Sequence, residues 1–149
     1  MQEEIIELYR QLRTSQDKYA YFLLAAVGAS IAFALNQTQG LSLKSSQIPL
    51  AISILLWGFS FFFGCRHLQY VSSTLYANIE MLKIESGRHP QVGNHPQALA
   101  AASEGVRSAI ESNSETSNNL AKLQFSLLIA GVVFYISWHT LEMWLRSNA

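Results

Sequence analysis

Residues 48–65 read IPLAISILLWGFSFFFGC, a run without a single charged side chain, and no helix breaker separates it from the polar stretch that follows. Eighteen residues rising about 1.5 Å each are enough to cross the core of a bilayer. Inside lipid every backbone N–H and C=O must be paired within the segment, which leaves the helix as the available form for a single run. The pattern continues through Arg66, His67 and Leu68 and stops only at Ser86-Gly87. That continuation is too polar for hydrocarbon, so residues 48–87 read as one long helix, half in membrane and half in water.

Two further apolar runs flank it. Residues 19–35 are uncharged, and residues 125–145 carry only Glu142 and the titratable His139 near their end. Charged residues make up 13% of the chain, against about 25% in an ordinary soluble domain, and they lie almost entirely outside the three runs. The expected fold class is therefore all-α and integral to a membrane. It comprises one domain: an amphipathic helix at 1–18, spans at 19–35, 48–65 and 125–145, and an antiparallel helical hairpin at 66–124.

In the leading segment Ile5, Tyr9, Leu12 and Tyr19 recur at helical spacing, with Glu3, Glu4 and Glu7 early and Arg10, Arg13 and Lys18 late, matched to the helix dipole. A cleaved signal peptide is the competing reading, because Ala32-Phe33-Ala34 has the small-x-small form. The long acidic lead and the spanning length of the run argue against it. Within 19–35, Ala25/Ala29 and Gly28/Ala32 are small-xxx-small pairs of the kind that let membrane helices approach closely. Gly58 and Gly64 in the second run are further candidates for close packing. Asn36-Gln37-Thr38 matches a glycosylation acceptor, but it lies against the membrane end and the pattern is common.

After the second span, Leu68, Val71, Leu75, Ile79 and Leu82 form an apolar stripe, and Glu80 can pair with Lys83. Next comes a tandem repeat, Gly87-Arg88-His89-Pro90-Gln91-Val92 and Gly93-Asn94-His95-Pro96-Gln97-Ala98. Gly87 suits a helix C-terminus and Pro96 the first turn of a new helix. The polar stretch 111–119 allows a break, because Ser112 and Glu115 have capping-box spacing. Trp138 and Trp144 suit an interfacial aromatic belt.

Three spans put Arg10, Arg13, Lys18, Arg66, Lys83, Arg88, Arg107 and Lys122 on one side and only Lys44 and Arg146 on the other. The positive-inside bias makes the first side cytoplasmic, with the C-terminus outside, as in a bacterial inner membrane.

Chemistry is sparse. The single cysteine, Cys65, excludes an intrachain disulfide, and with His67, His89 and His95 it fits no zinc spacing, so neither a metal nor a cofactor is expected. Arg88 and His95 share the Arg-x6-His spacing of HEPN-type ribonucleases, but the prolines and glycines beside them oppose helical presentation. The balance of ten basic and ten acidic residues gives no reason to expect a nucleic-acid partner. His139 and Glu142, three residues apart on one helix face, are polar groups at membrane depth and would serve an accessory subunit of a membrane enzyme. The loop residues Arg88, His89, Gln91, Asn94, His95 and Gln97 form the candidate recognition surface for a cytoplasmic protein or small ligand. In plan the chain resembles small bacterial membrane proteins that assemble into rings or pores, a likeness of architecture that covers no specific residues. The leading expectation is a non-enzymatic protein that self-assembles in a lipid bilayer as a homo-oligomer of pore-like or gating kind; the alternatives are a membrane scaffold or anchor for a soluble partner and the accessory subunit just described.

Overall fold

The computed structural model describes residues 2–40, 45–90, 92 and 95–147, without the side chains of 2–6 and 9. Three helices account for nearly all of them: α1 (Gln2–Gln37), α2 (Ile48–Glu85) and α3 (Pro96–Ser147), with one 3-10 turn, Ser45–Gln47, before α2. No strand occurs among the described residues. All three helices are long and apolar enough to cross a membrane.

Each helix boundary has a local cause. Pro49 sits in the first turn of α2, where a missing N–H costs nothing. The end of α2 is a Schellman turn. Gly87 adopts φ 67°, its N–H donates to Ile84 O at 3.0 Å, and the Arg88 N–H donates to Lys83 O at 2.9 Å. Nothing interrupts α1 between its polar and apolar halves. The capping box at Ser112 and Glu115 does not form, and α3 runs unbroken through 111–119.

The chain divides into two compact units. The first comprises Met1–Gly64 with Leu123–Ala149, and the second Cys65–Lys122. In the first unit the three helices pack around Val27, Ala34, Leu50, Trp57 and Trp138, with Ile31, Ile54, Leu128 and Tyr135 against them. Tyr135 gathers the aromatic contacts, with ring centroids 5.7 Å from Trp57, 5.5 Å from Trp138 and 6.4 Å from Phe33. Trp138 is thus a core residue rather than part of an interfacial belt, because it falls seven residues after Gly131 on the face turned to α2. Trp144 is exposed.

Two glycines set how near the helices come. A Cβ on Gly131 would strike the indole of Trp57, and one on Gly64 would lie 2.7 Å from the Gln124 amide carbon and 2.8 Å from Leu24. Gly64 thus lies against Gln124 and Leu24, whereas among the described residues nothing lies within 4 Å of a Cβ built on Gly58 or Gly28. Ala25, Ala29 and Ala32 are exposed. Among the described residues the buried face of α1 is thus not the small-residue one. At 3.6 residues per turn, Ala25 and Ala29 lie almost opposite Val27, and the buried face is built on Ala20, Leu23, Val27 and Ala34.

In the second unit α2 and α3 also pair. Here only part of the apolar stripe of α2 is covered: Leu68 and Val71 are half-buried, whereas Leu75, Ile79 and Leu82 are 39%, 46% and 65% exposed. Ile84 is buried, and His67 and Thr74 are half-buried.

Replacing Gly131 by alanine should lower stability in detergent by about 1–3 kcal/mol, the usual cost of overpacking, because the buried indole of Trp57 has nowhere to move. Gly105→Ala, at an open helical position, should raise it by about 0.5–1 kcal/mol through helix propensity. Thermal unfolding followed by circular dichroism tests both signs.

Candidate functional site

The polar side chains of the core are concentrated where α2 meets α3. In the first unit Ser53 and Ser60 are 0% exposed. Ser53 Oγ donates to Gly131 O and Ser60 Oγ to Gln124 O, each at 2.8 Å. Between them, Trp57 Nε1 donates to Leu128 O at 3.2 Å. At the other end Ser46 Oγ donates to Glu142 Oε1 at 2.7 Å. Partner numbers fall on α3 as they rise on α2, so the helices run antiparallel. Such bonds contribute about 0.5–1.5 kcal/mol each, net. Their larger effect is on register, since a slip of one residue would leave buried hydroxyls and an indole N–H unpaired.

In the second unit the pairing is also polar and also antiparallel. His67 Nδ1 lies 2.9 Å from both the carbonyl oxygen and the Oγ of Ser117. Asn113 Nδ2 donates to Ser73 Oγ at 3.2 Å. These contacts explain why α3 stays helical through a polar stretch: two of its weak helix formers are engaged by α2. Two buried donors, Gln124 Nε2 and Trp138 Nε1, have no partner among the described residues.

The residues expected to recognise a ligand are only partly brought together. Arg88, His95 and Gln97 are exposed at the ends of α2 and α3, while Gln91 and Asn94 lie outside the described residues. His89 turns back toward α2, with Nε2 3.4 Å from Glu80 Oε2. Glu80 also accepts from Lys83 Nζ at 2.7 Å. The hydrogen bond from Lys83, with its charge and that of His89, holds the Glu80 carboxyl below its ordinary range despite partial burial, and Glu80 raises Lys83 in return. Among the described residues no group of three His, Cys, Asp or Glu side chains could hold a metal ion.

His139 and Glu142 do not form a joint site. Glu142 is half-buried, accepts from Ser46 and lies 3.9 Å from Arg146 Nε. It joins the far end of α3 to the turn before α2, where a carboxylate also suits the positive end of that helix. His139 is exposed, its ring 6.2 Å from that of Trp138.

The polar residues of the α2–α3 contact escape a reading based on motifs, yet their spacing carries a signal. Ser53, Ser60, His67 and Thr74 on α2 are seven apart, as are Ser103, Ile110, Ser117, Gln124, Gly131 and Trp138 on α3. A seven-residue repeat marks the seam of paired helices even when its members are polar. No family model, curated protein or solved structure matches the chain.

Glu80→Gln should lower the thermal midpoint at neutral pH. A depressed folded pKa stabilises above the unfolded value and loses that effect as pH falls through the folded one. The midpoints of wild type and variant should therefore converge as pH falls below the ordinary carboxylate range and Glu80 becomes protonated in the folded state. A gap that persists at such pH would show that the charge of Glu80 is not the cause.

Proposed function

We propose that this chain is a non-enzymatic integral membrane protein that self-assembles into a scaffold. On this reading the 66–124 hairpin stands in the cytoplasm of a bacterial cell and offers its tip to a partner. The observation that carries the reading is apolar surface where lipid cannot cover it. Leu75, Ile79 and Leu82 are exposed on a part of α2 that also bears Arg66, Glu80, Lys83 and Glu85. Leu8 and Leu12, exposed on the charged first half of α1, repeat the pattern. Exposed apolar faces in water are normally protein contact surfaces.

A scaffold is favoured over a pore by where the polar groups point. Within the apolar stretches, Ser53, Ser60 and Gln124 are turned into the chain's own α2–α3 seam. The outward side chains there include Leu55, Phe59, Phe61, Phe62, Val133 and Ile136. Such a surface suits lipid, and residues 48–65 of α2 expose no polar side chain to line a water-filled channel, while on α3 Ser126, Ser137, His139 and Thr140 are exposed. Arg88, His95 and Gln97, exposed at the tip, support its role in recognition.

In mild detergent the protein should show a mass of two or more chains by light scattering, and liposomes containing it should leak no ions. A monomer overturns self-assembly, and steady conductance overturns the scaffold in favour of a pore. Orientation is checked with Cys65→Ser protein and a thiol reagent that cannot cross membranes. Gln39→Cys should label from outside and Gln97→Cys only after permeabilisation; the opposite pattern reverses the topology.

A further inference from the structure

The extramembrane half of α2 inverts the usual arrangement of a helical pair. Its contacts with α3 are made by His67 with Ser117 and by Ser73 with Asn113, while Leu75 and Leu82 are exposed and Leu68 is half-buried. Those leucines are periodic: Leu68, Leu75 and Leu82 are seven apart, and Ile79 falls on a second row with Cys65, Ser72 and Ser86. In coiled-coil terms leucine occupies every d position and the β-branched Ile79 one a position, a combination that favours parallel two-stranded pairing.

We infer that this face of α2 pairs in parallel with the same face of a second copy, forming a two-stranded coiled coil on the water side of the membrane. The inference rests on the self-assembly reading above and names its interface. Copies inserted in the same sense present α2 in the same direction, so the pairing is parallel and isologous.

Three observations select this face and this occupant. First, the two serines of the a row need no outside partner. Ser72 Oγ donates to Leu68 O at 3.0 Å and Ser86 Oγ to Lys83 O at 3.1 Å, so a second helix can cover them without orphaning a hydroxyl. Second, the flanking positions carry no like-charge clash. A parallel pair sets Asn78 of one copy near Lys83 of the other, and Val71 near Tyr76. Third, the outer surface of α3 in the same unit is unsuitable. Glu104, Arg107, Glu111, Glu115 and Lys122 are all exposed along it, a surface suited to water.

The test is oxidative cross-linking in native membranes. In a Cys65→Ser background, Ile79→Cys should move most of the protein from the monomer to the dimer band on a non-reducing gel, and Glu115→Cys, on the outer face of α3, should leave it as monomer. Full-length Ile79→Asp should lose the dimer mass in detergent while keeping its helical circular dichroism. Absence of the Ile79→Cys dimer, or equal cross-linking at Glu115→Cys, overturns the pairing. A mixture of Leu12→Cys and Ile79→Cys chains that cross-links to each other in preference to Ile79→Cys with itself also overturns it, showing that α1 of another copy covers the face. Retained oligomeric mass without the Ile79→Cys dimer would mean that the chain assembles through a different surface, whereas a monomeric wild type would remove both this interface and the scaffold.

Discussion

The fit of Trp57 against Gly131 is the constraint on which the first unit depends. The indole occupies the space that any side chain at 131 would need, and its N–H reaches Leu128 O one turn away. With that ring in place, Ser53 and Ser60, four residues before and three after it, meet Gly131 and Gln124. Tyr135 and Trp138 stack beyond it and connect the α2–α3 pair to Phe33 on α1. A large ring against a glycine gives both close approach and a fixed register. The two serines alone could hold a register but would bury little apolar area.

The two units solve the same pairing problem with different materials. In the first, the contact is aromatic and aliphatic, punctuated by hydroxyls that bond to carbonyl oxygens. In the second, it is mainly polar, built on His67, Ser117, Ser73 and Asn113. A polar seam in water gains little net energy, because each hydrogen bond replaces bonds to solvent. It does confer specificity, since mispairing leaves partly buried donors unmatched. The apolar side chains that could have strengthened that seam face outward instead. This makes Leu75, Ile79 and Leu82 the most informative residues for what the protein does.

Much of the architecture was legible in the sequence because its causes are local. Helix existence follows from long uninterrupted runs, the end of α2 from Gly87, and the start of α3 from Pro96. The candidate site was less legible. The tandem loop stood out by repetition, yet His89 is drawn back onto Glu80 rather than held out with Arg88 and His95. Glu142 looked chemically active because it lies near the end of an apolar run, but Ser46 and Arg146 give it a structural role. Arg146 is four residues on, at a spacing the sequence shows, but Ser46 is 96 residues away and no motif foretells it.

The sequence by itself determined three apolar helices, their lengths and the continuity of α2 beyond its uncharged run, because hydropathy and breakers act along the chain. Only the tertiary structure decided which face of each helix meets another. Small residues at 25, 28, 29 and 32 and small residues at 64 and 131 look alike in composition, yet among the described residues only the latter pair is buried against a neighbour. The difference is angular. A helix offers several stripes that could pack, and the one used is the one whose side chains fit the rings and hydroxyls of its neighbours. That choice depends on groups far apart in sequence, so no local pattern encodes it.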